Sequence, residues 1–369
     1  MTTTANGRDG VTVSDSNAST VPDGVTADAG GPGRLAGPGG PKGTGGSLGT
    51  GGHRRGGGKS SPVQQGDRVF RFLTKGSAIA MSVVVAAIGG FLIWRAIPAL
   101  KLNQVNFLTS REWSTTNINA FAFGVLDLFQ LTVLVSVFAL ALAMPASLGI
   151  AIFLSRYSPR RLAGPLSYAV DLLAAVPSVV YGLWGLLVLA PVLSPFSSWL
   201  NSTFGWFPLF ATGTGSISGG GTVFTAGIVL AVMIMPVITG VTREVFAQTP
   251  KEHIEAAQAL GATRWEVVRM AVLPFGKSGF VSASMLGLGR ALGETMALYL
   301  ILQTTSAKFG WSLFDSGATI ASKIALGYAE FTDNTMAGAY IAAGLVLFAL
   351  TFVVNAAARM VVARGRNNS

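Results

Sequence analysis

The sequence predicts an all-α integral membrane protein with six transmembrane helices and a polar, cytosol-type loop between helices 4 and 5. Three observations carry that prediction. Half of the 369 residues are hydrophobic and only 11% are charged, with a mean hydropathy of +0.54, whereas a soluble chain of this length needs far more charge to cover its surface. Six apolar stretches are long enough to cross a hydrocarbon layer about 30 Å thick, which takes roughly 20 helical residues. The basic residues also fall between those stretches in alternation, crowded on one side and sparse on the other.

Residues 1–66 are rich in Gly, Ser, Thr, Pro and Asp. With few large apolar side chains they cannot offset the entropy of ordering, so the sequence predicts a disordered tail, with the transmembrane body at 67–369. No apolar core of a signal peptide lies near Met1. Gly56-Gly57-Gly58-Lys59-Ser60 imitates a phosphate loop, but His53 stands where the pattern requires glycine and no strand precedes it. Arg54, Arg55, Lys59, Arg68, Arg71 and Lys75 make a basic approach to the first span, suited to anionic lipid head groups.

The spans are expected near 77–98, 127–154, 163–192, 223–241, 279–302 and 337–362. They are continuously apolar without strict alternation, which selects helices over strands, and lipid permits only helices or closed barrels. Met144-Pro145 and Val176-Pro177 place proline inside the second and third spans, where a lost hydrogen bond and a ring clash favour kinks.

Twenty of the 26 Lys and Arg lie in the tail, the second-to-third and fourth-to-fifth connections, and the C-terminus. The opposite side holds Arg95, Lys101, Arg111, Lys308 and Lys323, while the 191–221 connection carries no charge. Positive-inside bias therefore puts both termini and the 252–277 loop in the cytosol. On the outer side, Trp113, Trp199 and Trp206 read first as interface anchors. The absence of cysteine excludes disulfide frameworks and thiolate metal sites. His53 and His253 are too distant to form a histidine metal centre, and the net charge of +10 follows topology and implies no nucleic acid.

Pro250 stops the fourth helix, and residues 251–270 read as a helix-turn-helix. Gly261 falls where its first helix should end, and Leu273-Pro274 where its second should close. Small apolar stripes from Ile254, Ala257, Leu260, Trp265 and Val268 leave a face suited to a soluble partner.

Arg290 falls eleven residues into the expected fifth span, about 16 Å deep and near the bilayer centre. A charge there costs roughly 2.5–3.5 kcal/mol on insertion scales, so it faces the bundle interior. Glu294, four residues on, shares that face. Two readings follow: a mutual ion pair that locks packing, or an anion path. Arg-then-Glu is the weaker order for an i,i+4 pair, and a guanidinium's planar donors match a tetrahedral oxyanion. Glu294 could orient that fork and accept a hydrogen bond from protonated phosphate, which sulfate cannot offer. Gly287, Gly289 and Gly293 would admit a close neighbour or substrate.

Glu255-Ala256-Ala257, Gly261 and Leu273-Pro274 resemble the EAA loop of ATP-binding-cassette importer permeases, although Ala271 stands where that family usually has a branched aliphatic residue. The stretches 171–182 and 287–297 resemble the third and fifth spans of the PstC-type phosphate-importer permeases, and the likeness covers roughly 77–363. It implies that Glu255, Ala256, Ala257, Gly261, Leu273 and Pro274 form a coupling helix and its surround, docked in an ATPase cleft. It implies Arg290 and Glu294 as translocation residues, with Asp171 a weaker candidate. It also implies a homologous permease subunit (PstA-like), an ATPase dimer (PstB-like) carrying ATP and Mg, an extracytoplasmic phosphate-binding protein (PstS-like) and a plasma-membrane location. The chain itself would bind no cofactor or metal and catalyse no reaction. A permease for sulfate or molybdate, or a secondary ion-coupled transporter, is the alternative.

Overall fold

The computed structural model describes residues 62–115, 120–302, 308–331 and 333–367. The glycine-rich tail up to residue 61, expected to be disordered, lies outside them. Helix α1 runs over Pro62–Leu102, α2 over Leu126–Ile152 and α3 over Arg160–Ala175. Next come α4 (Ser178–Trp184), α5 (Ala190–Phe204), α6 (Val223–Ala247), α7 (Lys251–Ala259) and α8 (Arg264–Val267). The chain ends with α9 (Leu273–Leu292), α10 (Met296–Ile301), α11 (Ile320–Leu326) and α12 (Asn334–Asn367). Wide π-helical turns at Phe153–Tyr157, Gly185–Leu189 and Val268–Val272 carry α2 past its end, join α4 to α5 and join α8 to α9. Six of the resulting rods are long and apolar enough to cross a membrane among the described residues.

Helix α6 is the axis of the bundle. Most of its apolar window is buried, which explains an apolar sequence all round rather than on one face. Leu131, Val135 and Ala139 of α2, Leu230, Met233 and Ile234 of α6, and Ala283 and Ala291 of α9 share one core with Leu298 and Ile301 of α10. Close approach is built from glycine. A Cβ at Gly276 or Gly279 would stand 2.3–2.5 Å from Phe246 or Val245, so α9 can lie against the end of α6 only without side chains there.

At the end of the bundle away from α7, short strands β1 (Trp113–Ser114) and β2 (Ala122–Phe123) pair antiparallel. The buried Asp315 carboxylate accepts from the N–H groups of Thr214, Gly310 and Ser312 at 2.8–3.0 Å, tying two long connections together. Trp199 and Trp206 are exposed as interface anchors should be. Trp113 departs from that expectation: it packs against Phe123 and Tyr340, with ring centroids 5.9 and 5.2 Å away.

Three span expectations need correction. The first helix is already formed at Pro62, fifteen residues before the expected span and inside the expected tail. The third does not run unbroken over 163–192. It breaks at Val176-Pro177 and its second part continues to Phe204. The fifth does not run unbroken over 279–302 but breaks at Gly293–Thr295. Pro145, by contrast, sits inside an uninterrupted α2.

Candidate functional site

Proline makes the first break. It disfavours α geometry in the residue before it, and Val176 accordingly turns extended at ψ 131°. The Tyr181 hydroxyl reaches back across the gap and donates to the Leu173 carbonyl at 2.8 Å, satisfying an acceptor the interruption exposes. Glycine makes the second break, since its helix penalty is about 1 kcal/mol relative to alanine. Helix α9 ends at Leu292; the Glu294 carboxylate then accepts from the Ala297 N–H at 3.1 Å, starting α10. Thr295 Oγ1 donates to the Gly293 carbonyl at 3.2 Å.

The segments that follow the two breaks lie side by side. A Cβ on Gly182 would come within 2.8 Å of Ala297 Cα, so α4 rests directly on the backbone of α10. Both flank α6: Gly287, ahead of the second break, packs on Ile238 and Ile234 near the middle of that helix, and Gly185, beyond the first, meets Val229 nearer its start. Irregular backbone at mid-membrane depth persists only where protein covers it or it lines a polar cavity, and broken helices at mid-depth are where transporters hold their cargo.

Arg290 and Glu294 both belong to this junction, but not as expected. Because the helix stops between them, they are not successive residues of one helical face, and no ion pair joins them among the described residues. Glu294 is buried at 8% exposure and held by α10, while Arg290 closes α9. The arginine is therefore not neutralised by its neighbour in sequence. Of the three glycines, Gly287 is a packing residue, its Cβ position 2.7 Å from Ile238; a Cβ on Gly289 would meet nothing within 4 Å, and Gly293 is exposed.

Asp171 is elsewhere. It sits on α3 against the last two turns of α6, 57% exposed, with its carboxylate 3.6 Å from the Arg243 guanidinium and 3.7 Å from a Cβ built on Gly240. The structure brings it to Arg243, not to Arg290. Sequence reasoning did not single out Arg243 or Tyr181; the only signal for Tyr181 was its place four residues after Pro177.

Beyond α6, the 251–277 region forms a projecting hairpin. Pro250 caps α7, and Glu255 and Ala256 are exposed while Ala257 is buried against the following segment. Gly261 takes the left-handed φ of +81° that a helix end favours in glycine, and Ala262 N–H donates to the Ala257 carbonyl. Thr263 and Glu266 form a reciprocal cap on α8. Leu273-Pro274 does not close the second helix as expected: Leu273 N–H bonds Val268 C=O across the wide turn, and helix continues from Arg264 to Leu292. That turn absorbs the proline, whose missing N–H falls where the ladder is already irregular. Leu260, Trp265 and Met270 remain exposed, at 87%, 55% and 55%.

Residues 147–367 match the family described as "Binding-protein-dependent transport system inner membrane component". The chain is 55% identical over 309 residues to "Phosphate transport system permease protein PstC 2" of Mycobacterium tuberculosis, covering 83% of this chain and 94% of that one. It is 58% identical over 278 residues to "Phosphate transport system permease protein PstC" of Mycobacterium leprae, covering 75% and 87%. Among solved structures, a bacterial ABC transporter involved in alginate import aligns with a TM-score of 0.48 at 17% identity, covering 80% of this chain and 99% of that one.

Proposed function

This chain belongs to the family of binding-protein-dependent transport system inner membrane components, and from that we infer that it is the membrane subunit of an ATP-driven importer of inorganic phosphate. Relatives at 55–58% identity that match most of its length carry phosphate-transport names. The observation that carries the mechanism is the pair of helix breaks inside the third and fifth spans, with Arg290 closing α9 and Glu294 buried at the start of α10.

Arg290 holds the oxyanion. Its planar fork matches two phosphate oxygens, and burial strengthens the charge-assisted bonds. Glu294 accepts from the protonated oxygen of phosphate, which separates it from fully ionised sulfate. The segments that carry both groups end or begin at the breaks, so they change orientation without unwinding a continuous helix.

The distribution of Lys and Arg supports a cytosolic hairpin and cytosolic termini. There Glu255, Ala256 and Ala257 dock on an ATPase dimer that carries ATP and Mg and performs the hydrolysis. A homologous permease subunit completes the path, and a phosphate-binding protein delivers cargo from outside. The exposed apolar residues Leu260, Trp265 and Met270 support the docking assignment, since such a surface outside lipid calls for a partner.

Labelled phosphate uptake tests the reading. Cells whose phosphate uptake depends on the intact transporter should lose it with Arg290→Gln while all subunits still copurify, and excess unlabelled sulfate should not compete with the wild type. Normal uptake by Arg290→Gln, or equal competition by sulfate, would remove the assigned mechanism.

A further inference from the structure

We propose that a cavity between Arg111, Lys308 and Lys323, at the far end of the bundle from the hairpin, is a second phosphate subsite that takes the oxyanion before Arg290 does. The inference rests on the phosphate reading and on the orientation that places this end outside.

The cavity has a volume of about 500 Å³, and its lining includes Arg111, Trp113, Asp127, Lys308, Phe309 and Lys323. Only five Lys and Arg were expected on this side, and three of them meet in one cavity. Positive-inside bias depletes this side of lysine and arginine, so their convergence calls for a ligand of opposite charge.

The donors are arranged rather than scattered. Arg111 Nη1 donates to the Phe309 carbonyl at 2.9 Å and lies 3.3 Å from Asp127 Oδ1, which fixes the guanidinium at the cavity wall. Lys323 Nζ stands 5.3 Å from the centre of the Trp113 ring. The Trp113 indole N–H is buried with no acceptor among the described residues, a group that normally finds one. Lys308 is exposed and forms no ion pair among the described residues. Two lysines, a guanidinium edge and an indole N–H are donors only, the set that an oxyanion satisfies.

Asp127 and Glu112 also line the cavity. Asp127 Oδ1 is buried and accepts no hydrogen bond among the described residues, although it lies 3.3 Å from Arg111 Nη1. A P–OH group can donate to a carboxylate of the lining, whereas a fully ionised sulfate offers it no donor. Three cations against two carboxylates leave a small positive excess, enough to attract phosphate and weak enough to release it inward.

Equilibrium binding of radiolabelled inorganic phosphate to the purified transporter, without its binding protein and at low salt, tests this. Measurements are made in the Arg290→Gln background, where the central site is disabled. Phosphate binding should persist there, and adding Lys308→Glu should weaken it about tenfold or more, the worth of one charge-assisted hydrogen bond. Lys323→Gln should weaken it as well, with subunit copurification confirming assembly. Loss of all binding in Arg290→Gln alone, or an unchanged affinity on adding Lys308→Glu, would overturn the proposal. So would sulfate competing as well as phosphate. Failure of the wild-type transporter to take up phosphate would instead sink the functional reading, so the two failures are distinguishable.

Discussion

Replacing Gly182 by alanine sets a methyl group against the backbone of the fifth span. Its Cβ would stand 2.8 Å from Ala297 Cα, 3.0 Å from Leu300 Cδ1 and 3.3 Å from the Ala297 carbonyl oxygen. Leu300 can rotate away, but the Ala297 backbone cannot. Carbon atoms pack comfortably at about 3.5–4.0 Å, so α10 must retreat by about 1 Å. Overpacking of this kind costs about 1–3 kcal/mol. Alanine in place of helical glycine returns about 0.5–1 kcal/mol, so a net loss of about 1–2 kcal/mol is expected. Gly90→Ala is the internal control: it is also helical, but nothing lies within 4 Å of its Cβ position, so it keeps the gain without the clash. The assay is the thermal unfolding midpoint of the purified transporter in one detergent at one scan rate, with uptake measured in parallel. Gly182→Ala should melt below wild type and slow transport, because α10 carries the Glu294 carboxylate with it; Gly90→Ala should melt at or above wild type. If Gly182→Ala melted as high as Gly90→Ala, α4 would not rest on α10 and the paired breaks would not form one site.

Glu255→Lys on the exposed face of α7 should change stability by less than about 0.5 kcal/mol, yet abolish uptake and ATPase copurification; an intact complex with normal uptake would remove the hairpin from coupling. Asp171 and Arg243 should behave as a structural pair. Asp171→Asn is expected to cost at most about 1 kcal/mol, since the carboxylate is half exposed. Asp171→Arg should impair uptake and Arg243→Asp on the same chain should restore it. Failure of the exchange to rescue would mean that the Asp171 carboxylate acts on the cargo rather than on Arg243.

The six spans were legible because an apolar stretch of 20 or more residues has few alternatives. Their interruptions were legible only in part. Pro177 announces a break through the residue before it, but Pro145 and Pro274 carry the same local signal and sit within continuous helix. A proline lets helix pass where the lost bond is absorbed, as the wide turn at Val268–Val272 does for Pro274. Gly293 gave no such warning, because single glycines are common in membrane helices. The expectation that Arg290 and Glu294 share one face presumed that no break lay between them. Asp171 could be placed near a span end, but its partner stands 72 residues later, and a long-range pairing leaves no trace in local pattern. The cavity at Arg111, Lys308 and Lys323 was invisible for the same reason: its three cations come from two connections, the first-to-second and the fifth-to-sixth, that meet only after the bundle has formed.

The unbroken passage from the hairpin into the fifth span has a mechanical consequence. Arg264–Leu292 is one rod of 29 residues, about 43 Å long at 1.5 Å per residue. A rod of hydrogen-bonded turns twists and tilts as a unit, so torque applied at its outer tip is not dissipated along the way. It emerges at Gly293, the first joint where the ladder lets go. In the proposed mechanism the helix would serve as a drive shaft whose universal joint lies next to Arg290.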